Sequence, residues 1–426
     1  MPATFLEPVD LEALARRVGT PFYVFSAEVL RQRIQDVRAL TDHPHLQARY
    51  AMKACSTRRV LEEIRAAGVW IDAVSGNEVL RARAAGFPMG AQPPTVLFTA
   101  DVFRDNALPA VVEQRIMPNI GSPAMLDDLQ AAGYRGPIGL RLNPGFGHGH
   151  VSACDTGGPS SKHGVWHEDA DAVIRAAARA GYPIVLLHGH VGSGPTIDEF
   201  TANLAKLAHL FVERVRDFPA LEAVSLGGGL PHAYRPNRPV MDLAPLARML
   251  RDAQQRLSGA AGRPLRVEIE PGRYFVAPSC ALVARVTAVK QTRTNDKGEG
   301  HTFAMVDAGF IDLIRPAMYG SYHHITVHGA GARPEVPVVV AGPLCESGDV
   351  FTRGSDELLE PRLLPTPRRG DLLILHDAGA YGVAMSSNYV SLGRAPQVWL
   401  DNGDKFLIAR RETVDDVTRT ECSERL

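Results

Sequence analysis

Cysteine is scarce in this chain: five in 426 residues, Cys55, Cys154, Cys280, Cys345 and Cys422, scattered and without a C-x-x-C pair. An odd, widely spaced set excludes a disulfide framework and carries no zinc signature. An excess of charge of one sign is equally lacking. Lys plus Arg number 46 against 47 for Asp plus Glu, and a net charge of -1 gives no field to attract nucleic acid or an anionic membrane. No run is long and apolar enough for a bilayer span, and Met1 to Glu7 has no basic segment leading into an apolar one, so a cytoplasmic protein is expected. What remains is an ordinary composition, 45% apolar and 22% charged. The length calls for two structural units, and the balance of charge favours small-molecule chemistry.

From Arg49 to Gly272 one pattern recurs: a short β-branched run, a loop, then an amphipathic helix ending at Gly or Pro. It places strands at 48–53, 69–75, 95–100, 115–121, 138–143, 184–191, 223–229 and 266–272. Ser75 with Glu78 and Thr196 with Glu199 have capping-box spacing, and Ser122-Pro123 reads as an N-cap followed by proline. Phe200, Leu204, Leu207, Phe211 and Val215 keep one helix face apolar. Eight such units argue for an α/β fold built on a parallel (β/α)8 TIM-type barrel over 28–276. After Pro278 strands follow one another without long helices, at 281–292, 302–306, 324–328, 336–341, 371–376, 398–400 and 406–409. An all-β, barrel-like C-terminal domain over 277–426 is expected, joined by residues 1–27 through a strand at 20–25. The tail from Glu412 reads as a short helix or a frayed end. The one long loop inside the barrel region, 145–164, is rich in Gly, Ser and His and reads as a lid.

In such a barrel the working face lies at the C-terminal strand ends, which here carry Lys53, Ser75, Asn143, His190, Gly227-Gly228-Gly229 and Glu270. A lysine closing a buried strand loses hydration, and desolvation drives its amine toward an imine-forming nucleophile. Three glycines after a strand let backbone amides approach an anion, as a phosphate cradle must. Glu270-Pro271-Gly272-Arg273 adds a carboxylate and a guanidinium. Each has a plain structural reading, as a surface lysine, a tight turn or a salt-bridged turn; the conjunction points to pyridoxal 5'-phosphate, with the carboxylate at the ring nitrogen, an arrangement that favours decarboxylation. A metal hydrolase competes, because His188-Gly189-His190 and His148-Gly149-His150 put alternating imidazoles on one side of a strand. No carboxylate ligand lies near either pair in the sequence, and a histidine lying on the cofactor ring is the better use of His190. In the β region, Cys345 and Glu346 stand in Gly342 to Asp349, and Arg315, Tyr319 and Tyr381 stand beside glycine turns; a free thiol or single tyrosine there has an ordinary structural reading too.

Six segments in order, Tyr50-Ala51-Met52-Lys53-Ala54, His190-Val191-Gly192-Ser193-Gly194, Gly227-Gly228-Gly229, Glu270-Pro271-Gly272-Arg273, Arg315-Pro316-Ala317-Met318-Tyr319 and Cys345-Glu346-Ser347-Gly348-Asp349, resemble the fold-type III pyridoxal-phosphate decarboxylases from about Pro21 to Arg410. The resemblance implies that Lys53 carries the cofactor, His190 stacks on its ring and Glu270 pairs with the ring nitrogen. It implies that Ser193, Gly227, Gly228, Gly229, Pro271, Gly272, Arg273 and Tyr381 line the cofactor. Cys345 would donate the proton across a homodimer with composite active sites, and Arg273, Arg315, Tyr319, Glu346 and Tyr381 would hold the substrate. Within them the chain closely resembles members acting on meso-2,6-diaminopimelate at its D-centre, releasing carbon dioxide and L-lysine. A far end bearing both a carboxylate and an ammonium suits an arginine plus a glutamate. A paralogue acting on D-ornithine or D-lysine and, from another class, a non-catalytic pyridoxal-phosphate carrier stay open; the second domain with Cys345 and Glu346 argues against the carrier. Alanine racemase shares the barrel, but that family has arginine where Glu270 stands. His163 departs from the family's apolar aromatic, which leaves the lid contact open.

Overall fold

A computed structural model describes residues 4–147, 156–193, 196–237, 241–354 and 356–424. In chain order its strands are β1 (Phe22–Ser26), β2 (Leu46–Ala51), β3 (Trp70–Ala73), β4 (Val96–Ala100), β5 (Met117–Ile120), β6 (Ile138–Asn143), β7 (Val165–Trp166), β8 (Ile184–Gly189), β9 (Ala223–Ser225), β10 (Arg266–Ile269), β11 (Cys280–Gln291), β12 (Thr302–Val306), β13 (Ile325–Val327), β14 (Glu335–Ala341), β15 (Arg362–Pro365), β16 (Leu372–Leu375), β17 (Gln397–Asp401) and β18 (Asp404–Ala409). Contacts divide them between two compact units: residues 32–232 with 240–275, and residues 1–31 with 233–239 and 276–426.

The first unit is a closed barrel. Its parallel strands run β5-β4-β3-β2-β10-β9-β8-β6, and a β5–β6 pairing completes the ring, with β7 added outside β6. All eight expected strands are present. They are shorter at their C-terminal ends than the hydrophobic pattern suggests: β2 stops at Ala51, β8 at Gly189, β9 at Ser225 and β10 at Ile269. After β8, β9 and β10 the glycines and proline that follow turn the chain into loops, and after β2 the chain enters the 3-10 turn Met52–Ala54. Helix starts follow local chemistry. The Ser75 hydroxyl accepts from the Glu78 amide at 3.1 Å, and that of Thr196 accepts from the Glu199 amide at 3.2 Å. Ser122 differs, since its hydroxyl donates to the Asp101 carbonyl instead of capping the helix Ala124–Ala131. In the helix Ile197–Arg214 the face carrying Phe200, Leu204, Leu207 and Phe211 is buried.

The inside of the barrel is unusual. Its lower layer is apolar, with Leu97, Met117, Leu186 and Ala223 in one cluster. Two residues further along those strands, register and alternation turn Thr99, Asn119, His188 and Ser225 inward. Arg49, Asp72, Arg141 and Glu268 join them from the other strands, and all eight are buried. Arg49 and Glu268 form a bidentate pair, Nε–Oε2 2.5 Å and Nη2–Oε1 3.2 Å, with no exposure of either side chain. Removing one partner of such a pair costs about 3–5 kcal/mol, because the other charge is left stranded.

The second unit is a mostly-β sheet of nine strands along β15-β14-β12-β11-β1-β17-β18, with β16 on β11 and β13 on β16. The expected N-terminal strand belongs here: β1 lies antiparallel to β11 and parallel to β17. The strand β15 has no signal in the alternation. The segment 233–239 also falls in this unit rather than in the barrel span expected over 28–276. Side-chain chemistry explains it: Tyr234 packs edge-on against His323, and the Arg235 guanidinium sits 4.2 Å from the Tyr322 ring centroid. One core cluster gathers Phe22, Val24, Ala281, Val283, Leu372, Ile374 and Val398 with Leu6, Leu11 and Leu14 of the N-terminal segment. The tail after Glu412 forms the helix Val414–Thr418, closed by a Thr413/Asp416 capping box.

Candidate active site

In the barrel unit the chemistry sits one to three residues past the ends of the strands. Lys53 lies in the 3-10 turn Met52–Ala54 directly after β2. This turn is tied to its neighbour, since the Ala51 amide donates to the Pro271 carbonyl at 3.3 Å and a side chain on Gly272 would press against the Ala51 carbonyl. The Lys53 side chain is exposed. Burial therefore does not strip its amine of water, contrary to the expectation from a lysine closing a buried strand; the chain turns outward one residue earlier. Its positive charge is nevertheless felt by Asp72, Glu78 and His190.

Glu270, just beyond β10, is 5% exposed and has both carboxylate oxygens engaged. His188 Nε2 donates to Oε2 at 3.0 Å, and the Ser225 hydroxyl donates to Oε1 at 2.7 Å. Burial alone would raise its pKa, but the charge and hydrogen bond of His188, the Ser225 bond and the charge of Arg49 outweigh it and hold the carboxyl below the usual carboxylate range. Asp72 goes the other way, up to about 8, through burial first and then the negative charge of Glu270. Asp72 Oδ1 is buried without a hydrogen-bond partner. His190 is lowered well below an ordinary imidazole by burial, then by the charges of Lys53 and Arg141, so the ring stays neutral. Its Nδ1 is buried and unpartnered. His188 gives Nε2 to Glu270, and His148 and His150 lie outside the described residues.

The glycine turn has a role the sequence does not disclose. A Cβ on Gly227 would strike the Gly189 carbonyl at 2.5 Å, one on Gly228 would fall on the Glu270 carbonyl, and one on Gly229 on the Gly192 carbonyl. Gly227 and Gly229 also have positive φ, 72° and 108°. The three glycines let the loops after β8, β9 and β10 close on one another, and the Glu270 amide donates to the Gly227 carbonyl at 2.9 Å. Ser193 and Arg273 are half-buried, Arg273 at the start of the short helix Arg273–Val276, while Pro271 and Gly272 are buried. Two residues expected at the mouth hold up its rim instead. Ser75 caps a helix. Asn143 fastens both ends of the long loop: its Oδ1 accepts from the Gly145 and Gly158 amides at 3.1 and 2.7 Å, and its Nδ2 donates to the Gly158 and Ser161 carbonyls at 3.0 and 3.4 Å. His163, the departure noted in the sequence, lies with Nδ1 2.7 Å from Asp101 Oδ2, and the Gly164 amide donates to Oδ1 at 2.8 Å. The middle of the expected lid, 148–155, lies outside the described residues.

The second unit holds Arg315, Tyr319, Cys345, Glu346 and Tyr381. Arg315 is buried, Tyr319 and Tyr381 are half-buried, and Cys345 and Glu346 are exposed. Their loop is riveted by Asp349, which accepts from the Leu344 amide at 2.8 Å and the Phe310 amide at 2.7 Å, while its own carbonyl accepts from Gly342 at 2.9 Å. Tyr381 has φ of 61°, a left-handed conformation uncommon for an aromatic residue, in a turn so tight that a Cβ on Gly379 would fall on the Val276 carbonyl.

Residues 27–277 match the pyridoxal binding domain of the pyridoxal-dependent decarboxylases. The chain belongs to that family. The diaminopimelate decarboxylase of Escherichia coli K12 is 41% identical over 424 residues, covering 98% of this chain and 97% of the relative. A crystal structure of diaminopimelate decarboxylase superposes with a TM-score of 0.88 at 41% identity, covering 96% of this chain and 95% of that one. Diaminopimelate decarboxylase from Helicobacter pylori complexed with L-lysine gives 0.84 at 26% identity, covering 96% and 98%.

The barrel residues of this pyridoxal-dependent decarboxylase fit the cofactor. A carboxylate kept anionic can hold a proton on a pyridine nitrogen, a neutral imidazole with a bare nitrogen can face a ring, and a lysine amine stands exposed at the mouth. Reading the sequence alone misses Asp72, Arg141, Ser225 and Asp349. For the first three the available signal is the two-residue period, which puts a polar side chain inward at the end of β3, β6 and β9, where an inert barrel would carry branched apolar residues. Among the described residues no helix is long and apolar enough to cross a membrane.

Proposed function

We propose that this decarboxylase acts on meso-2,6-diaminopimelate at its D-configured centre, producing L-lysine and carbon dioxide. The observation that carries the reading is Glu270, whose negative charge is secured by His188 and Ser225. Bound pyridoxal phosphate supplies the ring that draws in the electron pair left when carbon dioxide departs. Lys53 would hold the cofactor through its amine. Glu270 would keep the ring nitrogen protonated, and neutral His190 would lie against the ring without adding a second positive charge. Ser193, the glycine turn of Gly227, Gly228 and Gly229, and Pro271, Gly272, Arg273 and Tyr381 would line the cofactor. Arg315, Tyr319 and Glu346, with Arg273 and Tyr381, grip the substrate, an arginine answering its far carboxylate and a glutamate its far ammonium. Cys345 would hold the proton that replaces the lost carboxyl.

Exposure of Cys345 and Glu346 on one anchored loop supports a homodimer in which that loop serves the other subunit's barrel, with 28–276 as the cofactor domain and 1–27 plus 277–426 as the domain carrying the loop. The free thiols of Cys55, Cys345 and Cys422 support a reducing, cytoplasmic setting. Incubation with meso-diaminopimelate, D-ornithine and D-lysine, with and without pyridoxal phosphate, followed by chiral detection of lysine, tests the substrate; no L-lysine from the first would overturn the reading. Lys53→Ala should abolish the visible absorption of the bound cofactor together with turnover, and a retained band would move the attachment elsewhere.

A further inference from the structure

Arg315 opens the helix Arg315–Tyr319 and is 2% exposed. Its Nη1 lies 2.9 Å from His323 Nε2, its Nη2 donates to the Ser321 hydroxyl at 3.2 Å, and its guanidinium carbon sits 4.6 Å from the centroid of the Tyr234 ring. His323 is fully buried, with Nδ1 2.9 Å from the His376 carbonyl oxygen. These two neighbours decide its protonation state. A carbonyl only accepts, so Nδ1 carries the hydrogen; a guanidinium only donates, so Nε2 must present a lone pair. His323 is thereby fixed as one neutral tautomer, and its backbone partner holds the ring in place.

We propose that His323 is a positioning residue for substrate selection: as a neutral ring it aims Arg315 at the carboxylate on the far end of the substrate. This rests on the reading of Arg315 as the group that grips that carboxylate. A glutamate in place of His323 would orient the guanidinium equally well, but it would compete with the substrate for it. A neutral imidazole and a hydroxyl fix direction without themselves competing for the ligand.

Two amides separate the halves of this arrangement. Glutamine at 323 can place an acceptor near the Nε2 position, toward Arg315; asparagine can place a donor near Nδ1, toward the His376 carbonyl, and cannot reach Arg315. His323→Asn should raise KM for meso-diaminopimelate on the order of tenfold to a hundredfold with little change in kcat, and His323→Gln should recover most of that loss. D-lysine lacks the far carboxylate, so its inhibition constant should move less than about threefold in either variant. If His323→Asn does not fold, Ser321→Ala, which removes the other uncharged acceptor, should show a smaller KM rise of the same selectivity. Equal behaviour of the two amides, or equal weakening of both ligands, would overturn the positioning role. An unchanged KM in Arg315→Gln would instead sink the reading on which it rests, whereas a raised KM there with an unaffected His323→Asn sinks the inference alone.

Discussion

At the scale of single residues the barrel spends stability on chemistry, and Asp72 is the clearest case. Its carboxyl is buried, one oxygen lacks a partner, and its pKa stands at about 8, through burial and then the charge of Glu270. Because the folded state holds this proton and the unfolded chain releases it near pH 4, the folded state binds more protons across that window, and stability falls as pH rises from about 4 to about 8. Asp72→Asn should therefore flatten the loss between about pH 5 and 8, measured as the thermal midpoint of the cofactor-free protein; an unchanged pH slope would mean the carboxyl is already ionised. Which polar residues gather at the strand ends was more legible in the sequence than how they are held. His190 and Glu270 stand out beside glycine or proline, and Lys53 at the end of an extended run just before a helix start. Their settings were hidden: the exposure of Lys53 depends on a 3-10 turn, and the state of Glu270 depends on His188 and Ser225, which lie 82 and 45 residues away in the chain.

At the scale of elements, the loops after β8, β9 and β10 form one junction that glycine makes possible. The eight strands could be read from runs of apolar residues, and the helix starts at Ser75 and Thr196 from their capping spacing. The ends of the strands could not, because hydrophobicity continues past the last ladder bond while backbone approach, which leaves no mark on side-chain pattern, sets the stop. The same cause hid the true work of Gly228. Gly228→Ala pushes a methyl into the Glu270 carbonyl and should displace the carboxylate from His188. Cofactor affinity, followed by its absorbance, is expected to weaken by about tenfold or more, while Gly259→Ala, a helix site with open space around it, should leave it unchanged. Equal affinities in both variants would show that the junction tolerates the methyl and that the amides alone matter.

At the scale of the whole molecule, the proposed homodimer makes a quantitative prediction. Lys53→Ala and Cys345→Ala should each be nearly inactive, yet when their subunits exchange in equal amounts half the dimers are hybrids with one intact site, so roughly a quarter of full activity should return. No recovery after verified exchange would place Cys345 in the same subunit's site. The two-unit division was legible from the change of pattern after Pro278; the membership of 233–239 was not, because it rests on Tyr234 and Arg235 meeting residues about 90 positions later. The position of β1 carries a further consequence, for synthesis. This strand leaves the ribosome well before the neighbours it bonds, residues 280–283 and 397–400. At about 5–20 residues per second the wait for 280–283 lasts roughly 13–50 s and that for 397–400 roughly 20–75 s, and until the first of them arrives Phe22, Val24 and Phe25 have no sheet to join. A nascent chain of this kind should depend on chaperone holding of that strand, and a circular permutation that places it after its partners should relieve the dependence.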